Sequence, residues 1–179
     1  MWYYVHDDYD VYDVYDVYNE WDDTDAEEMK EPQERSWMRM NRIILASHGG
    51  LSAGMKDTVQ MILGELPNLY ALATLRDETE PITVAARRLL DGFAAEDAVY
   101  IVTDVMGGSV NNEMLTLLPE YPAVHLICGM NASLVLTLAS NDEALTQDEL
   151  AECIADAKAQ IIDCNLLLKN AAQDEEDDL

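Results

Sequence analysis

The sequence predicts a single α/β domain built on a doubly wound, mainly parallel sheet, with a possible edge strand near its C-terminal end. Short aliphatic runs alternate with segments whose apolar residues recur at helical spacing. Strands separated by single helices imply right-handed β-α-β crossovers, which place helices on both faces of a parallel sheet. Glycine and polar residues follow the strand ends, where such sheets bind their ligands.

The first strand and helix are predicted from residue 42 onward. Arg42 to Ser47 is a short aliphatic run, which is typical of a buried parallel strand. A helical pattern follows the His48-Gly49-Gly50 turn and stops at Pro67. Its expected core positions are Leu51, Met55, Val59, Ile62, Leu63 and Leu66.

The second and third strands are predicted at residues 69–75 and 98–103. Thr79 is a candidate cap for the helix between them, with Pro81 in its first turn. That helix keeps apolar spacing through Ile82, Ala85, Ala86, Leu89, Leu90 and Phe93. After the third strand, Gly107-Gly108-Ser109 opens a helix that runs to about residue 118.

The fourth strand is predicted at residues 123–128, with a short helix after Asn131. Thr146 and Glu149 form a T-x-x-E capping box for a last helix. Its apolar positions are Leu150, Ile154, Ala157 and Ile161. The apolar residues 161–168 close the domain, and within them Leu166–Leu168 predict the possible edge strand.

The two ends differ from this domain in composition. Residues 1–36 hold 13 of the 36 acidic side chains, and residues 8–18 repeat Tyr-Asp-Val with a period of three. That period fits neither a helix nor a strand. We therefore expect an acidic, disordered extension over 1–39, the domain over 40–168 and an acidic tail over 169–179. Two alternatives for the extension are an interaction tail and a translation start at Met38 or Met40.

The composition excludes several classes of protein. A net charge of −26 repels phosphate backbones, which argues against nucleic acid as a partner. The longest apolar stretch, 126–139, is too short and too polar to span a bilayer, and the N-terminus lacks the pattern of a secretory signal. Three cysteines without a C-x-x-C pair argue against disulfides and zinc. We expect a reduced cytoplasmic protein without metal or cofactor.

A candidate site lies where the first and third strands end. In the flavodoxin-like strand order 2-1-3-4 these strands are neighbours, so His48 and Asp104 face one crevice. Imidazole can act there as a nucleophile, while the carboxylate fixes its tautomer. Glycine turns let backbone N–H groups approach an anion. The predicted phosphate-binding residues are Gly49, Gly50, Gly107, Gly108 and Ser109.

Each of these features also has an ordinary structural explanation. A histidine in a turn can be a cap, Gly-Gly-Ser begins many helices, and aspartate at a strand end is a common N-cap. His125 lies inside the fourth strand and is expected to be a satisfied core residue. The functional interpretation rests on the joint placement of the groups at two strand ends, which together suit phosphorylation on histidine.

Three segments resemble one protein family. They are Arg42-Ile-Ile-Leu-Ala-Ser-His48-Gly-Gly-Leu-Ser-Ala-Gly54, Ile101-Val-Thr-Asp104-Val-Met-Gly-Gly-Ser109 and Cys128-Gly-Met-Asn131. Together they resemble the IIA component of the mannose/fructose/sorbose class of the bacterial phosphoenolpyruvate-dependent sugar phosphotransferase system, over about residues 40–168. Three positions depart from the usual pattern, namely Met106, Val110 and Ser133.

The resemblance implies a phosphocarrier of sugar uptake. His48 would take a phosphoryl group from the carrier protein HPr and pass it to a IIB component, which phosphorylates a hexose entering through IIC and IID. Asp104 would be the partner of His48, and Ser109 a phosphate ligand. The family fold is a doubly wound α/β sheet, usually dimeric, with an exchangeable C-terminal strand. The protein would then be cytoplasmic and reach the membrane through its transporter partners.

Several other functions stay open from the sequence. A phosphotransfer subunit of dihydroxyacetone kinase begins similarly. A hydrolase could use Ser109, His48 and Asp104, although the G-x-S-x-G elbow is absent. A nucleotide-binding module could use the glycines after His48, although their spacing is not G-x-G-x-x-G. A non-enzymatic α/β binding or regulatory module would keep the fold without carrying phosphate.

Overall fold

The computed structural model describes residues 40–76 and 80–169. Four strands and five helices alternate along these ranges as predicted. The strands are β1 (Asn41–His48), β2 (Leu69–Thr74), β3 (Ala98–Thr103) and β4 (His125–Cys128). The helices are α1 (Leu51–Leu63), α2 (Ile82–Gly92), α3 (Ser109–Leu115), α4 (Ala132–Ala139) and α5 (Gln147–Ala159). The predictions for residues 1–39, for Thr79 and for the tail beyond Lys169 lie outside the described residues.

The four strands form one parallel sheet in the order β2-β1-β3-β4, which confirms the predicted order. β1 and β3 are the two central strands, and their register pairs Ala46 with Thr103. This pairing brings the carboxyl ends of β1 and β3 side by side. His48 is the last residue of β1, and Asp104 follows β3 directly.

The core has two layers because β1 is buried on both faces. Ile43 and Leu45 point into the layer formed with α1, α4 and α5. Ile44 and Ala46 point into the layer formed with α2 and α3. Alternate residues of one strand therefore contribute to opposite layers, as the period of two in a strand requires. None of the helices in the described ranges is long and apolar enough to cross a membrane.

The predicted core face of α1 is only partly correct. Val59 is fully buried, and Met55 and Leu66 pack against the core. Leu51, Ile62 and Leu63 are instead exposed by 48%, 60% and 40%. The six predicted positions cover a wider part of the helix surface than the side that packs against the core, so the outer ones stay at the surface of this chain.

The C-terminal segment also differs from its prediction. Residues 164–169 form a short helical turn, so Leu166–Leu168 are not an edge strand. Asp163 Oδ1 caps this turn by accepting the N–H groups of Asn165 and Leu166 at 3.0 and 3.2 Å. Leucine favours helix, and a strand would need a free sheet edge beside it to pair its backbone. Ile161, predicted on the face of α5, lies beyond that helix and is 82% exposed.

Candidate functional site

The site is built on the turn that joins β1 to α1. Gly49 adopts a φ of +57°, and its N–H donates to the carbonyl of Thr74 at 3.0 Å, which ties the turn to the end of β2. The imidazole of His48 is 45% exposed. A side chain in this position is open to a partner molecule while its backbone is held by the sheet.

Two buried serines hold the same turn from beneath. The Ser47 hydroxyl accepts the N–H of Ser52 at 2.8 Å, and the Ser52 hydroxyl donates to the carbonyl of Leu72 at 2.7 Å. Both serines are fully buried. These bonds fix the first turn of α1 against β1 and β2, and they satisfy hydroxyl groups that would otherwise be costly to bury.

Asp104 binds His48 through two hydrogen bonds to a single carboxylate oxygen. Its Oδ2 accepts both the backbone N–H of His48 and the ring nitrogen Nδ1, each at 2.8 Å. Its Oδ1 accepts the N–H of Val105 at 2.8 Å. Burial raises the pKa of this carboxyl group, but the hydrogen bonds from His48 and Val105 outweigh burial, and the net pKa lies below its ordinary value.

The ionised carboxylate determines the tautomer of His48. A carboxylate can only accept hydrogen bonds, so Nδ1 carries the ring proton. Nε2 is then an unprotonated nitrogen with a free electron pair. Ser109 Oγ lies 2.9 Å from Nε2, and its hydroxyl donates to that pair. The structure therefore brings the three predicted residues Ser109, His48 and Asp104 into one hydrogen-bonded row.

The two adjacent glycines before α3 have different roles in the backbone. The N–H of Gly108 donates to the carbonyl of Val105 at 3.1 Å, closing a tight turn. Gly107 occupies the third position of that turn with a φ of +77°, which a type II turn requires. The N–H groups of Gly49 and Gly108 thus already donate to carbonyls, whereas we predicted from the sequence that they would face an anion.

A second buried pair anchors α3 to β3. Thr103 Oγ1 donates to Asn111 Oδ1 at 2.8 Å, and both side chains are almost completely buried. This bond sets the distance between the end of β3 and α3, and so the span of the loop that carries Asp104 and Ser109. Neither this pair nor the pair of buried serines was identified from the sequence, because a lone serine, threonine or asparagine gives no pattern.

Exposed apolar residues follow His48 and Asp104 closely in the sequence. Leu51 begins α1, and Val105 and Met106 follow Asp104, with exposed fractions of 48%, 56% and 82%. We call these three residues the apolar rim. Exposed aliphatic residues next to a reactive side chain are typical of a surface that docks another molecule.

Other predicted residues lie outside this cluster. Asn131 caps α4 by accepting the N–H of Leu134 at 2.9 Å, and its amide donates to the carbonyl of Ala157. His125 on β4 is half-buried and stacks on the ring of Tyr100, with ring centroids 5.2 Å apart. Both residues therefore have structural contacts of their own.

Comparison with known proteins identifies the relatives of this chain. The EIIA-man family model, described as the fructose IIA component of the PTS system, matches residues 42–155. The sorbose-specific EIIA component of Klebsiella pneumoniae is 31% identical over 114 residues, which cover 63% of this chain and 83% of the relative. The fructose-specific EIIA component of Bacillus subtilis (strain 168) is 25% identical over 112 residues, covering 62% and 77%.

Solved structures show the same fold. A putative phosphoenolpyruvate-dependent sugar phosphotransferase system permease from Klebsiella pneumoniae subsp. pneumoniae MGH 78578 superposes with a TM-score of 0.64 at 32% identity, covering 74% of this chain and 96% of that one. The PTS IIA protein associated with the fucose utilization operon from Streptococcus pneumoniae gives 0.64 at 25% identity, covering 73% and 97%.

Proposed function

This chain belongs to the fructose IIA component family of the mannose/fructose/sorbose phosphotransferase class, and we propose that His48 is the residue that carries its phosphoryl group. IIA components of this class transfer phosphoryl groups to IIB components. The observation that supports His48 is its pair of ring contacts, with Nδ1 on Asp104 and Nε2 directed at Ser109. With Nδ1 protonated, Nε2 is the nucleophilic nitrogen of the ring, and the side chain that carries it is partly exposed.

The proposed first step is an in-line attack by Nε2 on the phosphorus of phospho-HPr. The electron pair of Nε2 forms the new N–P bond, while the N–P bond of the donor breaks and its electron pair stays on the donor imidazole. The ring of His48 keeps its Nδ1 proton and becomes positively charged. The carboxylate of Asp104, 2.8 Å from Nδ1, stabilises that charge.

The second step reverses the first toward IIB. A nucleophile of IIB attacks the phosphorus, the N–P bond breaks, and the electron pair returns to Nε2. Because both steps exchange one reactive phosphoryl bond for another, the domain has only to position the groups and balance charge. The product is the neutral imidazole with its proton still on Nδ1, ready to accept again.

The phosphoryl oxygens need donors on the same side of the ring. The Ser109 hydroxyl is 2.9 Å from Nε2, and it can turn from this nitrogen to an oxygen of the bound group. Of the predicted phosphate-binding glycines, we retain Gly50 and Gly107 as backbone donors. Gly49 and Gly108 instead shape the two turns, since their N–H groups bond Thr74 and Val105.

We propose HPr and a IIB component as the partners that dock on the apolar rim. The three exposed rim residues lie in or directly beside the turns that follow His48 and Asp104, so a docked partner can cover the phosphoryl group with apolar surface and exclude water. The chain carries a net charge of −26, which favours partners with basic docking faces. IIC and IID would be reached through IIB, which makes the protein cytoplasmic and peripheral to the membrane.

We also propose that residues 40–168 are the functional domain and that it forms a homodimer. The support for a dimer is the apolar segment after α5. Ile161, Ile162 and the leucines of 166–168 are all more than half exposed, which is unusual for large aliphatic residues on an isolated chain. Burial of this segment against a second copy would remove that surface from water.

The decisive experiment is phosphorylation of the full chain with phosphoenolpyruvate, enzyme I and HPr. We expect intact mass to increase by one phosphoryl group, which is labile to acid and hydroxylamine. His48→Ala should remain unmodified, whereas His125→Ala, a half-buried histidine outside the site, should be modified like the wild type. Acid-stable phosphate, or labelling of His48→Ala, would refute the proposal.

The row Ser109–His48–Asp104 supports hydrolysis as a second candidate, because a serine hydrolase uses the same order of contacts. Hydrolysis would require Ser109 as the nucleophile and His48 as its base. An ester assay distinguishes hydrolysis from phosphoryl transfer. Turnover of an activated ester that is lost in Ser109→Ala would favour the hydrolase, and absence of turnover together with acid-labile phosphate would favour the phosphocarrier.

A further inference from the structure

Gly108 stands next to Gly107 but has an unremarkable backbone. Its φ and ψ of −67° and 162° suit any amino acid, whereas Gly107 has a positive φ. The backbone conformation therefore explains glycine at 107 and does not explain it at 108.

The space around Gly108 supplies the explanation. A β-carbon at this position would lie 3.0 Å from Cε1 of His48, 3.2 Å from the carbonyl oxygen of Val105 and 3.4 Å from Cγ1 of Val105. At each of the other seven glycines a β-carbon would meet nothing within 4 Å. The imidazole thus lies so close to the backbone of Gly108 that a methyl group there would force its neighbours to shift by a few tenths of an ångström.

We infer that Gly108 is a positioning residue for phosphoryl transfer, because its lack of a side chain lets His48 contact Asp104 and Ser109 at the same time. This inference rests on the proposed role of His48 as the phosphoryl acceptor. Cε1 is the ring carbon between Nδ1 and Nε2. A group that pushes Cε1 away from Gly108 therefore moves both nitrogens, at 2.8 Å from Asp104 and 2.9 Å from Ser109.

Moving Gly108 away from the imidazole would also relieve the contact, but it would weaken a backbone hydrogen bond. Gly108 N–H donates to Val105 O, the second atom that a β-carbon would approach, so moving Gly108 disturbs the hydrogen bond that closes the turn. The ring is the part that gives way, since its side chain is 45% exposed and has space toward solvent.

Gly108→Ala in the full chain tests this directly. We expect phosphoryl transfer from phospho-HPr to slow by about tenfold, less than the roughly 100-fold cost of a displacement of about 1 Å, because the ring has to shift by only a few tenths of an ångström. Gly54→Ala is the matched control, because Gly54 lies within α1 and a β-carbon there meets nothing. It should transfer at the wild-type rate. A wild-type rate in Gly108→Ala would overturn the inference.

The tautomer of His48 separates a positioning role from general damage to the fold. The ¹⁵N chemical shifts of the His48 ring report its tautomer. We expect the wild type to show a clear preference for the proton on Nδ1, and we expect Gly108→Ala to lose it. An unchanged tautomer in Gly108→Ala would overturn the inference. Because this readout needs no phosphate, it stands even if the wild-type chain accepts none, an outcome that would refute the proposed function alone.

A double-mutant cycle covers the case in which Gly108→Ala is poorly folded. The urea midpoint should fall less when Gly108→Ala is made in the His48→Ala background, where the contact with Cε1 is gone and the contact with Val105 remains. An equal fall in both backgrounds, or loss of folding in both, would assign the glycine to the Val105 turn and overturn the inference.

Discussion

Replacement of Asp104 by asparagine removes one acceptor while the shape of the side chain is kept. In the wild type, Oδ2 accepts two N–H groups of His48 and Oδ1 accepts the N–H of Val105. An amide has only one oxygen for these three donors. Its NH₂ group must face either Val105 N–H, donor against donor, or His48, where it forces the ring proton from Nδ1 to Nε2.

The expected decrease in transfer rate follows from the hydrogen bonds that Asp104 makes with His48 and Val105. A hydrogen bond to a charged group contributes about 2 kcal/mol, and Asp104→Asn forfeits one or two such bonds to His48 or Val105. The transition state therefore loses about 2–4 kcal/mol, which corresponds to a transfer rate about 30- to 1000-fold lower. If the proton moves to Nε2, the nucleophilic electron pair is lost as well, and the upper figure applies.

The assay is single-turnover transfer from phospho-HPr, followed by rapid quench at matched protein concentrations. Asp97→Asn is the matched control, because Asp97 is a buried carboxylate that precedes β3 at the opposite end of the sheet and bonds Arg42 at 2.8 Å. Asp97→Asn removes one negative charge, as Asp104→Asn does, and it should lower the stability of the fold more than the rate of phosphoryl transfer. An Asp104→Asn rate within about threefold of the wild type, with the fold intact, would show that the carboxylate is not part of the chemistry.

Four further outcomes are expected. Ser109→Ala should slow transfer by only about fivefold, the equivalent of about 1 kcal/mol for one neutral hydrogen bond, and quench kinetics will show whether the loss is larger. The fragment 40–168 should unfold in one cooperative urea transition and accept phosphate; a broad transition would mean that the ends take part in folding. Light scattering of the full chain should give the mass of a dimer, and deletion of 161–169 should give a monomer; a monomeric full chain contradicts this. Burial raises the pKa of Asp97, but the hydrogen bonds from Arg42, Met40 and Ala94 and the charge of Arg42 together outweigh burial, so the net pKa lies below its ordinary value. The ionised carboxylate therefore stabilises the fold above about pH 4, and this contribution is lost as the pH falls further. Asp97→Asn should flatten the decline of the urea midpoint in acid.

The sheet could be predicted from the sequence because its strands are buried on both faces. The aliphatic run around Ile43–Ala46 has no polar interruption, and glycine or aspartate marks where each central strand ends. The juxtaposition of His48 and Asp104 then follows from parallel topology alone.

The errors have a common cause in contacts that periodicity does not encode. Apolar spacing in α1 shows which residues share a helix side, but it does not show how much of that side the sheet covers, so Ile62 and Leu63 were placed in the core. Leu166–Leu168 are apolar enough for a strand, yet Asp163 caps a helical turn over these residues by accepting the N–H groups of Asn165 and Leu166. The close approach of His48 to Gly108 depends on distances of a few tenths of an ångström, which no sequence pattern carries.

The contact between His48 and Asp104 joins residues 56 positions apart, and it depends on the pairing of β1 with β3. A nascent chain that has completed only β1 and α1 has the imidazole of His48 without the carboxylate that selects its tautomer. A slip of one residue between the two strands would turn the imidazole toward the opposite face of the sheet. Under the proposed function, acceptance of phosphate therefore requires the correct register of β1 and β3, and copies of the chain with a shifted register would accept none.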